Sequence, residues 1–286
     1  MNIGIVGLGL MGASLARAII KNTKHTVFGW DTDPNTMLKA ELLGALHERL
    51  TNTDYNSLDI LIIALTPDAF KEELEKALPK LKAGAVVLDI AGNKRGVVAA
   101  MRQARERYPT INFIATHPMA GREFWGINHS TPLLFERASI LIVPVAADIE
   151  RLAAVKKLLD SIGFTDSVIT DEHFHDKMIA YTSQLAHLVS SAYVKSPSAM
   201  EHDGFSAGSF RDLTRVAKLN AGMWTELMLE NRDNLLKEME IFIDNLNDFK
   251  DALNKGDADK LFALLAEGSQ RKEAIEKQTR ERKRNL

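Results

Sequence analysis

Residues 2–7 (NIGIVG) form a short apolar run that ends on glycine, and Gly7-Leu8-Gly9-Leu10-Met11-Gly12 then opens onto a helical pattern reaching Lys21. No other feature constrains the fold as much. A buried strand, a glycine turn and a helix in that order make the first half of a βαβ unit. Segments 25–30, 58–65, 85–90, 112–116, 139–143 and 164–169 read as further strands, and helix patterns at 95–108 (amphipathic) and 148–161 lie among them. The run LDILIIAL at 58–65 is apolar on both faces, as a central parallel strand requires, and is closed by Thr66-Pro67. Asp33-Pro34 reads as a helix N-cap followed by proline at the first helical position. Parallel strands need crossover helices, so residues 1–170 are expected to form a doubly wound parallel α/β sheet of Rossmann type. After Thr170 only helical spacing remains, at 171–195, 223–253 and 257–275, so residues 171–286 are expected to form an all-helical second domain.

Composition narrows the function classes. Lys and Arg total 36 against 38 Asp and Glu, which lacks the basic excess of a nucleic-acid or polybasic membrane protein. The 286 residues contain no cysteine, which excludes disulfides, thiolate nucleophiles and Cys-type zinc sites and fits a reducing cytoplasm. The most apolar stretch, 3–16, is too short to span a bilayer, and only Met1 and Asn2 precede it, so no secretion leader is expected. The expected location is cytoplasmic. Residues 271–284 intersperse both charges and read as a solvated helix.

The glycine run has the chemistry of a dinucleotide cradle. Gly7 permits the tight turn, Gly9 lets the backbone approach a pyrophosphate, and Gly12 lets helix and strand pack closely. Leu8, Leu10 and Met11 complete the loop, and the free N–H groups at the helix start face the anion. Thr66, closing another strand, is expected beside the same cofactor. Asp31 ends the second strand about twenty residues on, where a carboxylate accepts the ribose hydroxyls of NAD and repels the 2′-phosphate of NADP. No Arg or Lys lies between Asp31 and Met37, which favours NAD.

The chemistry is expected at the carboxyl ends of later strands. Thr116-His117-Pro118-Met119-Ala120-Gly121 follows the strand at 112–116, and Glu123 lies just beyond. A histidine beside a nicotinamide can accept the proton of a hydroxyl whose carbon loses hydride; a structural histidine is the alternative. Gln184 and His187 share one helical face in an apolar context, as part of a ligand pocket or as a satisfied core pair. Arg211 and Arg215 stand four apart after the flexible segment 204–208, and their guanidinium groups suit a carboxylate. The run Asp171 to Asp176 does not read as a metal site, because His173 and His175 diverge on a helix.

With these residues in place the chain resembles the prephenate dehydrogenase family, which includes the arogenate dehydrogenases. The resemblance runs through the glycine motif, T-H-P-M-A-G-x-E at 116–123, H-D at 175–176 with the S-x-L-x-H helix, G-x-F-x-D-x-T-R at 208–215, and Met223-Trp224 before a helix carrying Asn231. It implies oxidative decarboxylation of prephenate to 4-hydroxyphenylpyruvate with reduction of NAD. It also implies that His117 assists deprotonation of the ring hydroxyl, that Arg215 grips a substrate carboxylate, that Glu123, His175 and His187 are polar active-site positions, and that Gly208 lines the site. The helical domain of this family forms the dimer, so a homodimer is expected. Two departures stand out. Where the family often has D-x-x-S-x-K, this chain reads Asp89-Ile90-Ala91-Gly92-Asn93-Lys94, so the serine that would orient the histidine is missing and Asn93 or a water could replace it. Gln184 replaces a histidine of many members and is assigned to substrate binding, since it cannot take a charge. Arg215 serves prephenate or arogenate equally. A β-hydroxyacid dehydrogenase shares the glycine pattern but relies on a lysine in a Gly-rich helical segment, which is absent here, and a non-catalytic NAD sensor is a further alternative.

Overall fold

The computed structural model describes residues 1–284. The first part alternates as expected: β1 (Asn2–Val6), α1 (Leu10–Asn22), β2 (Thr26–Trp30), α2 (Pro34–Leu42), β3 (Glu48–Arg49), β4 (Ile60–Ile63), α3 (Pro67–Ala77), β5 (Val86–Asp89), α4 (Arg95–Arg107), β6 (Asn112–Pro118), β7 (Ser139–Ala146), α5 (Ile149–Ser161) and β8 (Asp166–Ile169). Asp33 caps α2 by accepting from the N–H groups of Asn35 and Thr36, with Pro34 opening the helix. β3 and α3 escaped the sequence reading, because β3 is two exposed residues and α3 (PDAFKEELEKA) carries few apolar positions.

The eight strands form one sheet in the order β3-β2-β1-β4-β5-β6-β7-β8. The chain leaves β1 toward β2 and β3, then restarts on the other side at β4. A crevice therefore opens beyond the carboxyl ends of β1 and β4, where doubly wound sheets bind ligands. The sheet is parallel as expected except at one pair: β7 runs antiparallel to β6, while β8 is parallel to β7. Residues 119–138 contain only one short 3₁₀ turn, Ile127–His129, so no crossover helix carries the chain back for a parallel return.

Strand alternation sorts the core into two layers. Ile3, Ile5, Ile60 and Ile62 face the layer covered by α1 and α5, with Leu15, Ile19, Val155 and Leu158. Val6, Leu61 and Ile63 face the layer covered by α3 and α4, with Phe70, Leu74, Val97 and Met101. Residues one apart point to opposite faces, so a strand buried on both sides needs an unbroken apolar run.

Beyond β8 every regular element is helical: α6 (Glu172–Ile179), a π turn at Ala180–Leu185, α7 (Ala186–Tyr193), α8 (Gly208–Thr214), α9 (Ala221–Glu230), α10 (Arg232–Lys255) and α11 (Ala258–Arg284), with short 3₁₀ turns between some of them. Asp171 caps α6 by accepting from the N–H groups of His173 and Phe174. The helix expected at 223–253 is two, broken at Asn231. That side chain is fully buried and donates to the Asp176 carbonyl and to Gln184, so a tertiary polar contact interrupts what the apolar spacing predicts to be continuous.

Packing divides the chain into two compact units, 1–235 and 236 onward. The first holds the sheet together with the helices up to the start of α10. In the second, the rest of α10 turns at Gly256 (φ +64°) into α11, and Lys260 pairs with Asp248 at 3.1 Å. The surface of α11 carries Glu–Arg pairs one turn apart, Glu267–Arg271 and Glu276–Arg280.

Candidate active site

At the end of β1 the glycine loop turns under close steric limits. Gly7 adopts φ +89°, and a β-carbon there would lie 2.5 Å from the Ala64 carbonyl oxygen at the end of β4. A β-carbon on Gly12 would collide with the Gly7 carbonyl. Gly9 differs, since a β-carbon there would meet nothing within 4 Å, leaving its open side free for a ligand to approach the backbone. α1 has no side-chain cap and no acidic residue in its first turn, so its N-terminal N–H groups and dipole are left for an anion. Asp31 sits against this loop: its carboxylate accepts from the Leu8 N–H at 2.8 Å and the Asp33 N–H at 2.9 Å. Leu10 and Met11 are half-buried and Thr66, the N-cap of α3, is exposed without a side-chain cap bond. The Leu8 side chain is fully buried in the core, so only its backbone faces the loop.

His117 lies near the carboxyl end of β6, on the parallel side of the sheet that carries the glycine loop. Its Nδ1 is 2.9 Å from Nε2 of His175, and Nδ1 of His175 is 2.7 Å from Oδ1 of Asp176. The Asp176 carboxylate also receives the Lys94 N–H at 2.7 Å, the Arg95 N–H at 3.0 Å and Nε–H of Arg95 at 3.2 Å. Burial alone would raise the pKa of Asp176, but the hydrogen bonds from His175 and the Arg95 and Lys94 amides hold it below the ordinary carboxylate value. Burial pushes His117 well below the usual imidazole value, and His175 and the Lys94 ammonium beside it oppose its protonation further. Burial also lowers His175, against the raising effect of Asp176. Both imidazoles are therefore neutral near pH 7. Asn93 does not replace the missing serine: its amide donates to the Leu227 carbonyl and Glu230 and accepts from Gln184, with no bond to His117. The partner of His117 is His175.

Beneath His117 lies a buried ion pair that sequence reasoning missed. Lys94 Nζ bonds the Asp89 carboxylate, both side chains fully buried, and Asp89 also accepts from the N–H groups of Ala91 and Thr116. The one signal for it was a carboxylate ending an otherwise apolar strand, followed five residues later by lysine.

Gln184 is 2% exposed, donates to Asn93 at 3.0 Å and to the Leu227 carbonyl at 3.3 Å, and accepts from Asn231 at 2.9 Å. Those bonds are the ones the core-pair alternative requires. His187 faces elsewhere: its ring lies 3.9 Å from that of Trp224, its Nδ1 donates to the Ser183 carbonyl, and burial lowers its basicity with Arg215 contributing in the same direction. Arg215 follows α8 and pairs with Glu123 beyond β6. The Glu123 carboxylate is held below its usual value by its own backbone N–H and by Arg215, so it is an ionised partner of the guanidinium. Gly208 opens α8, and a β-carbon there would meet nothing within 4 Å. The expected site residues thus fall into three groups: the glycine loop with Asp31, the His117–His175–Asp176 chain, and the cluster of Arg215, Glu123, His187 and Trp224.

Two family models match the chain, "Prephenate dehydrogenase, nucleotide-binding domain" over residues 15–165 and "Prephenate dehydrogenase, dimerization domain" over residues 171–267. Among curated proteins, a cyclohexadienyl dehydrogenase of Zymomonas mobilis is 27% identical over 96% of this chain and 96% of its own length. A prephenate dehydrogenase of Lactococcus lactis is 28% identical over 95% of this chain and 77% of its own. Among solved structures, the prephenate dehydrogenase of Aquifex aeolicus in complex with hydroxyphenyl propionate and NAD+ superposes with a TM-score of 0.84 at 28% identity, covering 96% of this chain and 98% of that one. Matches that span both the sheet and the helices following it, on a site of this geometry, place the chain in the prephenate dehydrogenase family.

Proposed function

We propose that the protein is an NAD-dependent dehydrogenase that oxidatively decarboxylates prephenate to 4-hydroxyphenylpyruvate. The observation that carries this reading is His117, a neutral imidazole at the ligand-binding end of the sheet that also holds the glycine loop and Asp31. The Aquifex relative holding NAD+ and a hydroxyphenyl acid supports it. When bound, NAD supplies the nicotinamide carbon that takes up hydride. The protein does the rest. His117 accepts the proton of the ring hydroxyl as that carbon loses hydride and becomes a carbonyl. Loss of carbon dioxide leaves its bonding pair in the ring, which becomes aromatic, and the proton returns to the phenolic oxygen. Arg215 binds a carboxylate of the substrate, with Glu123 orienting the guanidinium. His187 and Trp224 form a wall beside it, and two copies associate through the helical segment.

Arogenate is the second substrate to weigh, because a solved arogenate dehydrogenase of Synechocystis superposes with a TM-score of 0.79 at 26% identity. Purified protein with NAD is assayed by nicotinamide absorbance on prephenate, arogenate and a panel of 3-hydroxyacids. The proposal expects the highest kcat/KM on prephenate; turnover only of 3-hydroxyacids, or of none, refutes it.

Two mutational expectations belong here. Arg215→Ala removes a charge-assisted hydrogen bond of about 1.5–3 kcal/mol, so KM for prephenate rises about 10- to 100-fold while kcat changes less. Steady-state kinetics at saturating NAD read this out, and an unchanged KM places the carboxylate elsewhere. Asp31→Ala removes the repulsion of a 2′-phosphate, and the ratio of kcat/KM for NAD over NADP falls. If the ratio stays constant, the ribose is held by another group.

A further inference from the structure

We infer that His175 and Asp176 fix the tautomer of His117, holding its proton on Nδ1 so that Nε2 presents a lone pair to the substrate hydroxyl. The inference rests on the proposed reaction only for its catalytic meaning; the tautomer itself follows from hydrogen-bond bookkeeping.

Asp176 is 1% exposed, and its two oxygens receive the Lys94 amide, the Arg95 amide and Nε–H of Arg95. Arg95 is held in turn by Asp233 at 2.6 Å and 2.8 Å. A carboxylate so supplied with donors is ionised and can only accept. His175 Nδ1, at 2.7 Å, must therefore carry a hydrogen. His175 is itself 1% exposed, and as a neutral ring it has an unprotonated Nε2. His117 Nδ1 lies 2.9 Å from that nitrogen, so it donates, and the other nitrogen of His117 is left bare. The two rings are tilted by 50°, so they meet edge to edge through this bond and do not stack.

The chain has a catalytic consequence. When Nε2 of His117 accepts a proton, the new imidazolium already donates through Nδ1 toward His175, whose polarisation points at the Asp176 carboxylate. No proton needs to travel along the chain. A ring with the opposite tautomer would offer a hydrogen to the hydroxyl and could not accept its proton; in the serine-protease triad, the corresponding tautomer error costs about 10⁴ in kcat. His175 and Asp176 are positioning residues, because neither is exposed to a ligand. Gly92, with no side chain to offer, leaves this role to them.

The test uses the full-length protein with ¹⁵N-labelled histidine, without substrate, near pH 7.5. Long-range ¹H–¹⁵N spectra are expected to show His117 protonated at Nδ1 and bare at Nε2. In His175→Phe, which keeps a ring but offers no acceptor, His117 is expected to move to the Nε2–H form that free histidine prefers. In His175→Gln the side-chain oxygen takes the place of Nε2 and is expected to restore the wild-type pattern. On prephenate, kcat is expected to fall about 100-fold in His175→Phe and to recover at least tenfold in His175→Gln, with KM for NAD little changed. A wild-type His117 protonated at Nε2 overturns the inference. So does a His117 tautomer in His175→Phe identical to wild type. Should His175→Phe fail to fold, the wild-type and His175→Gln spectra still decide. Absence of turnover on every substrate would refute the proposed reaction and leave the spectra to judge the tautomer.

Discussion

His117→Asn is expected to lower kcat by about 10²–10⁴-fold, the range over which a positioned general base contributes. Asparagine can hydrogen-bond the hydroxyl but cannot take up its proton, so binding survives and the chemical step does not. KM for NAD and for prephenate should move by less than the change in kcat, which separates loss of a base from loss of a pocket. A pH profile adds an independent reading. Burial, with His175 and the Lys94 ammonium beside it, lowers the basicity of His117 well below the ordinary imidazole value of about 6.5. The wild-type acid limb of kcat/KM therefore falls below that value, and it should vanish in the variant. Near-wild-type turnover in His117→Asn would remove this residue from the mechanism.

Lys94→Met is expected to destabilise the fold by about 3–5 kcal/mol, the usual effect of removing one partner of a buried ion pair. Lys94 and Asp89 are both fully buried, and the substitution leaves the Asp89 carboxylate with only the amides of Ala91 and Thr116. Urea unfolding measures the change as a lower midpoint at similar slope. The double variant Lys94→Met with Asp89→Asn should recover part of the loss, because the uncompensated charge is then gone. The pair lies under the site as well as in the core: removing the Lys94 charge takes away one of the influences that depress His117. The acid limb in Lys94→Met is accordingly expected to rise toward the usual imidazole value. A loss of under 1 kcal/mol would show that the pair does not hold the fold.

The sequence revealed most where a rule is local. Asp33-Pro34 specifies a cap whatever surrounds it, and the observed cap is the expected one. The glycine loop was equally legible, since φ +89° at Gly7 and the backbone contact at Gly12 admit no side chain. Seven of the eight strands were legible, most clearly β4 and β5, because a strand buried on both faces cannot be written without an unbroken apolar run; β3, two exposed residues at the sheet edge, has no such signature.

Polar side chains were another matter. His117 and Arg215 announced themselves, yet whom a polar group bonds depends on which elements meet, and one-dimensional spacing does not carry that. Gln184 looked like a ligand because a buried amide needs partners, and the fold supplied Asn93, Leu227 and Asn231 from two other segments. Asn93 looked like the replacement for a missing hydroxyl, and the fold turned it toward Leu227 and Glu230. The reversal of β7 likewise depended on the absence of a crossover helix across 119–138, a segment with no periodicity to read.

From the chain alone came the alternating strands and helices, the glycine cradle with its carboxylate, and the imidazole at the strand end, all set by backbone sterics and by the period of apolar residues. Only the tertiary structure decided that His117 leans on His175 and Asp176, that Lys94 closes on Asp89 beneath it, and that Asn231 ties the start of α10 to α6 and the π turn. The His117–His175 and Asn231 bonds join groups far apart in sequence, and the Lys94–Asp89 pair, five residues apart, closes only because the chain turns back beyond β5. Their bonds are short-ranged and directional, so nothing short of the packed chain can determine them.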